Sequence, residues 1–217
     1  MRYNRKSIVI ITAPAALAVS VADMKTYLRI DTSDDDQLIE DFIVAATSSV
    51  REYVKRALIT ETLEMTMDGF SCGEEDDRLL AMGAGIHTGS KNYFLGNPDN
   101  IELMFPPIQS ITSIKTFDVA NTESTFSSGS YQADEQGGRI YLNQGVVWPA
   151  NLRRYEAVKI RYVAGYGNAS TDIPAPITMA IKMHVARMYE CREVCELADI
   201  CKKMLAPYRL LDGLGGY

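Results

Sequence analysis

His184, Cys191 and Cys195 are spaced seven and four residues apart, so on one continuous helix they share a face and could offer soft ligands to a metal. A fourth ligand would come from elsewhere, with Cys201 or His87 as the candidates. The same face carries Ile177, Ile181, Val185 and Met188 at helical spacing, which favours buried thiols and one hydrogen-bonded histidine over a metal centre. Asp31, Ser33 and Asp35 imitate the start of a calcium loop. Its sixth position is Asp36 where glycine is needed, and its twelfth is Phe42 where a bidentate glutamate is needed, so helix capping accounts for the cluster. The stretch from Gly83 to Lys91 evokes phosphate binding but has neither the Walker nor the dinucleotide spacing and follows no clear strand, which leaves a surface loop. A Ser-His-Asp or Cys-His mechanism would have to use His87 or His184, and neither sits in a nucleophile signature. Trp148 with Tyr131, Tyr141, Tyr155, Tyr162 and Tyr166 could line a carbohydrate or base platform, but such residues are more often sheet core and cross-strand pairs. The sequence therefore predicts no catalytic residue, no metal and no cofactor.

One apolar cluster is different in kind. Tyr208, Leu210, Leu211, Leu214 and Tyr217 stand among Gly213, Gly215 and Gly216 beyond Pro207, where a compact fold has little reason to keep apolar groups. Two readings stay open: a frayed terminus, or a segment that orders on a partner.

Composition narrows the classes. The chain has 217 residues, 47% of them hydrophobic, which is ample for a core. A formal charge of -6 argues against a dedicated nucleic-acid binder, because phosphate binding needs clustered Lys and Arg. Four cysteines in a chain this long do not make a disulfide scaffold, and reduced thiols are the simplest reading. Arg2, Arg5 and Lys6 ahead of the apolar stretch from Ile8 to Val21 imitate a secretory signal, yet Pro14 interrupts it and the strongly apolar part is only Ile8 to Ile11. An ordered N-terminal strand or arm is the preferred expectation. No segment has the roughly 18 consecutive apolar residues of a membrane span, and no membrane role is expected.

The elements that would carry these residues follow from periodicity. Ser20 to Asp23 fits a capping box opening a short helix to Ile30, and Asp31 to Asp36 supply a second N-cap for a helix from Asp34 to Ala57. The apolar stripe of that helix is Ile39, Phe42, Ile43, Ala46, Val50, Tyr53, Val54 and Ala57, and it needs a partner. Leu63, Met65 and Met67 alternate with polar residues up to the turn at Asp68-Gly69. Further strands are expected over Ile101 to Phe105, Ile111 to Phe117, Ser130 to Ala133, Arg139 to Leu142 and Ala157 to Ala164. Between Tyr155 and Glu190 the period changes from two to about 3.6 across Gly165, Gly167, Pro174 and Pro176. That junction marks the return from strands to a C-terminal helix, the natural partner of the N-terminal stripe. The expected fold is α+β: an antiparallel helical body, N-terminal helices packed on a long C-terminal helix, with an inserted antiparallel sheet or sandwich. Expected divisions are 1–58 for the arm and first helices, 59–168 for the β insertion with a long loop at 71–100, 169–207 for the closing helices, and 208–217 for the tail.

Several pieces are familiar in their order: Thr12-Ala13-Pro14-Ala15-Ala16-Leu17-Ala18-Val19-Ser20, Tyr27-Leu28-Arg29-Ile30-Asp31, Asp34-Asp35-Asp36-Gln37-Leu38-Ile39, Arg56-Ala57-Leu58-Ile59-Thr60-Glu61-Thr62, Pro106-Pro107-Ile108-Gln109-Ser110-Ile111-Thr112-Ser113-Ile114, Trp148-Pro149, and Val163-Ala164-Gly165-Tyr166-Gly167 followed by Ile173-Pro174-Ala175-Pro176-Ile177. From about Ile11 to Glu190 the set closely resembles the head–tail connector (adaptor) proteins of tailed bacteriophages, the form with a β insertion between the connector helices. The resemblance implies a virion protein without catalysis, assembled in the bacterial cytoplasm and resident in the neck of a phage or gene-transfer agent. It implies a ring of about a dozen copies, joined by heterologous contacts and docked beneath the portal protein. A stopper or tail-completion protein would mount below, and DNA would pass through the lumen without specific binding, which an acidic protein suits. By the same analogy Tyr208, Leu210, Leu211, Leu214 and Tyr217 would bind the portal, and the loop at 71–100, where the chain departs from the family pattern, would reach a neighbouring subunit or the next ring. The alternatives are another neck component, such as a stopper or tail-completion protein, or an exported enzyme or carbohydrate-binding protein.

Overall fold

The computed structural model of the protein describes residues 6–70, 100–192 and 195–210. They fall into two compact units. One comprises the described residues of 12–61, 105–107 and 164–210, and the other those of 6–11, 62–104 and 108–163.

The first unit is helical. Helix α1 spans Val21–Leu28 and opens as its sequence predicts, with the Asp23 amide donating to Ser20 Oγ at 3.0 Å. It stops two residues before the expected Ile30, at Arg29 in the left-handed region with φ 59°. Helix α2 spans Asp36–Val54, two residues later and three residues shorter at its ends than its periodicity suggested. Asp35 stands at its N-cap without a side-chain cap bond, because its carboxylate instead accepts the Tyr189 hydroxyl at 2.5 Å. The acidic cluster thus ties α2 to the last turn of the C-terminal helix rather than capping it. Lys55, with φ 57°, ends α2, and Ala57 leaves the helix to donate its amide to the Phe105 carbonyl at 3.4 Å.

Helix α3 spans Ala175–Cys191, with Pro176 in its first turn where a missing N–H costs nothing. It packs along α2, as the two matching stripes require. Ile39, Ile43, Ala46, Val50 and Val54 meet Ile177, Ile181, Val185 and Met188 in one buried cluster, joined by Met24 of α1 and Leu205 of helix α4, which spans Asp199–Leu205. Each of the larger of these side chains contributes about 1.5–3 kcal/mol by leaving water. The continuous helix expected to carry Cys191 and Cys195 does not form, because Arg192 takes a left-handed conformation at φ 51° and ends α3 at Cys191.

The second unit holds eight strands: β1 Lys6–Thr12, β2 Glu61–Met67, β3 Asn100–Glu102, β4 Ile108–Phe117, β5 Glu123–Phe126, β6 Tyr131–Asp134, β7 Arg139–Leu142 and β8 Val158–Ala164. They make a five-stranded sheet in the order β1-β2-β8-β4-β5 and a three-stranded sheet in the order β3-β7-β6. Antiparallel pairing joins β4 to β5, β6 to β7 and β3 to β7, with Ile114 opposite Phe126 and Ile101 opposite Ile140. The central strands show the period of two directly. Leu63, Met65 and Met67 of β2 and Val158, Ile160 and Tyr162 of β8 are buried, while the residues between them are half-buried. On that second face Arg161 Nη2 donates to Glu64 Oε2 at 2.6 Å. The β5 strand has no counterpart among the sequence-based expectations, and β3 is shorter than the stretch from Ile101 to Phe105. The expected loop at 71–100 lies outside the described residues except for Asn100, which opens β3.

Candidate functional site

Among the described residues, those singled out for chemistry do not converge. His184 is buried in the helical core on α3, Cys201 is buried on α4, and Cys191 is exposed at the end of α3. Among the described residues no three His, Cys, Asp or Glu side chains are grouped so as to hold a metal. Asp35 is committed to Tyr189 and Asp36 to Lys25, whose ammonium lies 2.7 Å away, so the acidic cluster is a structural tie in the helical unit. The hydrogen bond to Asp35 is the main reason the Tyr189 hydroxyl titrates above its ordinary range. His87 and the stretch from Gly83 to Lys91 lie outside the described residues.

Among the described residues His184 Nδ1 is buried without a hydrogen-bond partner, so no carboxylate of theirs orients that nitrogen as a catalytic histidine requires. Burial, reinforced by Arg187, lowers the His184 pKa below its ordinary value. The unfolded chain therefore takes up a proton that the native state refuses. Stability is full above the unfolded pKa of about 6.5 and falls as the pH drops from there toward the depressed native value. Urea titrations between pH 7.5 and 5 are expected to show this loss, and His184→Gln is expected to flatten the His184 part of the slope; an unchanged slope would contradict the assignment.

The aromatic residues are likewise structural. Trp148 stacks on Phe70 with ring centroids 4.3 Å apart and lies 5.1 Å from Phe126, which in turn stacks on Tyr131 at 6.3 Å. Tyr162 is fully buried and its hydroxyl donates to the Met104 carbonyl at 2.6 Å. Tyr166 belongs to the edge of the helical core, and Tyr155 is exposed. Trp148, Tyr131 and Tyr162 belong to the β unit and Tyr166 to the helical unit.

The apolar C-terminal set has a defined beginning. After α4 and a 3-10 turn at Ala206–Tyr208, the chain is held against the end of α2. Arg56 Nε donates to the Tyr208 carbonyl at 2.7 Å, and the Leu210 amide donates to the Val54 carbonyl at 2.9 Å, satisfying one of the orphan carbonyls of the α2 terminus. The Arg209 guanidinium lies 5.2 Å from the Tyr53 ring, and the Tyr53 hydroxyl donates to the Lys202 carbonyl at 3.4 Å. Tyr208 and Leu210 are half-buried on the helical body, so of the five residues proposed for partner binding two serve first as anchors. Leu211, Leu214 and Tyr217 lie outside the described residues.

A second surface was not singled out as a site by the sequence. β1 exposes Val9, Ile10 and Ile11, an apolar run at the edge of the five-stranded sheet. Its signal is the continuous run Ile8 to Ile11, which reads in the sequence as a strand, arm or secretory segment. Among the described residues no helix is long and apolar enough to cross a membrane.

A family model described as head completion protein matches residues 18–196. Among solved structures, a chain in the neck of an empty gene transfer agent particle, computed with C6 symmetry, is similar with a TM-score of 0.72 and 20% identity over 97% of this chain and 98% of that one. A chain in the neck of the native particle, computed with C12 symmetry, gives 0.68 and 19% over 97% and 98%. One in the virion of the native gene transfer agent particle gives 0.69 and 18% over 96% and 98%. Among curated proteins none matches. The structural likenesses span both units end to end and establish the α+β fold expected from the sequence.

Proposed function

Because this chain belongs to the head completion protein family, we propose that it is the adaptor of a tailed phage or gene-transfer agent neck, a ring beneath the portal that joins the DNA-filled head to the tail. Membership carries the coarse role, a structural protein that completes a head. The finer reading rests chiefly on one observation: the chain shares its whole fold, over 97% of its length, with chains from neck particles computed with C6 and C12 symmetry. A subunit repeated about a ring axis needs no catalytic centre, and the buried His184, the Asp35–Tyr189 tie and the stacked Trp148 are all spent on structure. A net charge of -6 weakens phosphate attraction, which suits a lumen through which DNA must move.

In this reading the portal is met by the C-terminal tail. Tyr208 to Leu210 fix where it leaves the helical body, and Leu211, Leu214 and Tyr217 supply apolar groups to the partner. The loop at 71–100 reaches a neighbouring copy or the next ring, and a stopper or tail-completion protein docks on the opposite face. The deciding experiment is electron microscopy and co-sedimentation of the full chain with and without portal. A ring matching the portal symmetry is expected on portal particles. Truncation after Leu210, which spares the anchor, is expected to weaken portal binding at least tenfold while leaving the melting temperature unchanged. Undiminished binding would remove the tail from the interface; binding to tail components but never to portal would replace the adaptor reading with that of a stopper.

A further inference from the structure

β1 breaks the rules by which sheet edges are kept from pairing. It is seven residues long, contains no proline, and reads Lys6-Ser7-Ile8-Val9-Ile10-Ile11-Thr12. Val9, Ile10 and Ile11 are 58%, 48% and 46% exposed, so apolar groups face solvent on both sides of the strand. One side of its backbone pairs with β2; it is the terminal strand of the sheet, so its other ladder of N–H and C=O groups is open among the described residues. A long, apolar, open edge is a template for another strand unless something covers it.

The opposite edge of the same sheet is β5, Glu123–Phe126, paired on one side with β4 and with three of its four residues exposed. A closed ring built from heterologous contacts needs two different surfaces on each copy that fit one another. The two edges of one sheet meet that requirement, since strand addition draws its affinity from backbone groups that any edge supplies. Pairing of β1 with β1 would be isologous and would end at a dimer, not at a ring.

We propose that β1 of one copy adds to the β5 edge of its neighbour, so that the five-stranded sheets of successive copies join around the ring. This rests on the ring reading given above. A four-residue pairing buries far less than the ~800 Å² per partner of a stable complex, so it is expected to hold within the ring and not as an isolated dimer.

Cysteine pairs test it on the portal-bound assembly. In a chain carrying Cys72→Ser, Cys191→Ser and Cys195→Ser, which leaves only the buried Cys201, one cysteine replaces Val9, Ile10 or Ile11 and another replaces Ser124 or Thr125. A disulfide forms only where the Cα atoms come within about 7 Å. Mixed single variants are expected to give covalent dimers, each single variant alone none, and chains carrying both cysteines a ladder of multimers. Dimers from a β1 variant alone would show two-fold pairing and overturn the proposal. Visible rings with no crosslink in any combination would overturn it while leaving the adaptor reading intact, whereas a crosslinked ladder without rings would do the reverse. As a second arm, Val9→Lys with Ile11→Lys, both at exposed positions, is expected to cut ring occupancy on portal at least tenfold with unchanged far-UV circular dichroism; unaltered occupancy would count against the edge pairing.

Discussion

Gly165→Ala is expected to destabilise the helical unit by roughly 2–5 kcal/mol, enough to leave a large unfolded fraction at working temperature. Gly165 follows β8 with φ +133°, a region that side-chain-bearing residues rarely adopt. A Cβ built there would lie 2.6 Å from the Ile59 carbonyl carbon, 2.6 Å from its oxygen and 2.6 Å from the Thr60 nitrogen. These are backbone atoms and cannot swing aside. They are also pinned: the Gly165 amide donates to the Pro107 carbonyl at 2.9 Å, the Tyr166 amide to the Leu58 carbonyl at 3.2 Å, and the Thr60 amide to the Gly167 carbonyl at 2.9 Å. Relief of the clash would pull this three-way crossing apart. Gly145 supplies the control, because its φ of +83° is also left-handed but nothing lies within 4 Å of its added Cβ. Gly145→Ala is therefore expected to cost only the conformational penalty of about 1–2 kcal/mol. The comparison is read from urea midpoints at constant m. Equal shifts for the two variants would mean that the close approach at Gly165 contributes nothing.

The glycine sits at the change of hydrophobic period that the sequence displays most openly, yet its purpose was not readable there. Alternation in Val158, Ile160 and Tyr162 and the helical spacing of Ile177, Ile181 and Val185 announce a strand and a helix, because each residue's burial depends on the local period alone. That Gly165 must admit the backbone of Ile59 depends on a partner more than a hundred positions away, which no local pattern encodes. β5 was missed for a related reason. Glu-Ser-Thr-Phe has one apolar residue, and the strand is held by backbone pairing with β4 rather than by burial. Helix ends were misjudged where non-glycine residues take left-handed conformations, at Arg29, Lys55 and Arg192, since their side chains give no warning of it. The candidate site divides along the same line. The apolar tail was visible because it lacks a fold-based excuse, but the anchoring of Tyr208 and Leu210 to the end of α2 is a tertiary fact. The continuous helix expected to carry both Cys191 and Cys195 failed because α3 stops at Cys191 on the left-handed Arg192, and Cys201 reaches the core from a separate helix.

Arg51→Met is expected to cost about 3–5 kcal/mol, although Arg51 lies outside the apolar stripe of α2. Glu61, the first residue of β2, has a side chain only 2% exposed, and Arg51 is its ion-pair partner, with Nη2 at 2.8 Å and Nε at 3.1 Å from the same carboxylate oxygen. Removing the arginine leaves a buried charge without compensation, which is the expensive way to break such a pair. The guanidinium does a second job. It lies 3.9 Å from the centre of the Phe105 ring, and Phe105 holds a left-handed backbone at φ 57°, a conformation that costs of order 1–3 kcal/mol unless its surroundings impose it. The stacked Arg51 and the Ala57 amide on the Phe105 carbonyl are those surroundings, so the segment from Phe105 to Pro107 is expected to loosen with the arginine. Glu61→Gln should be milder, because Arg51 keeps Glu52 at 3.2 Å and the Phe105 ring. In the double variant, Arg51→Met with Glu61→Leu, the buried charge is gone, and much of the loss should return except for the part owed to Phe105. Urea denaturation of the wild type, Arg51→Met, Glu61→Leu and the double variant reads the coupling. A full recovery in the double variant would mean that the stack on Phe105 has no energetic weight, and an Arg51→Met loss below 1 kcal/mol would mean that Glu61 does not depend on its partner.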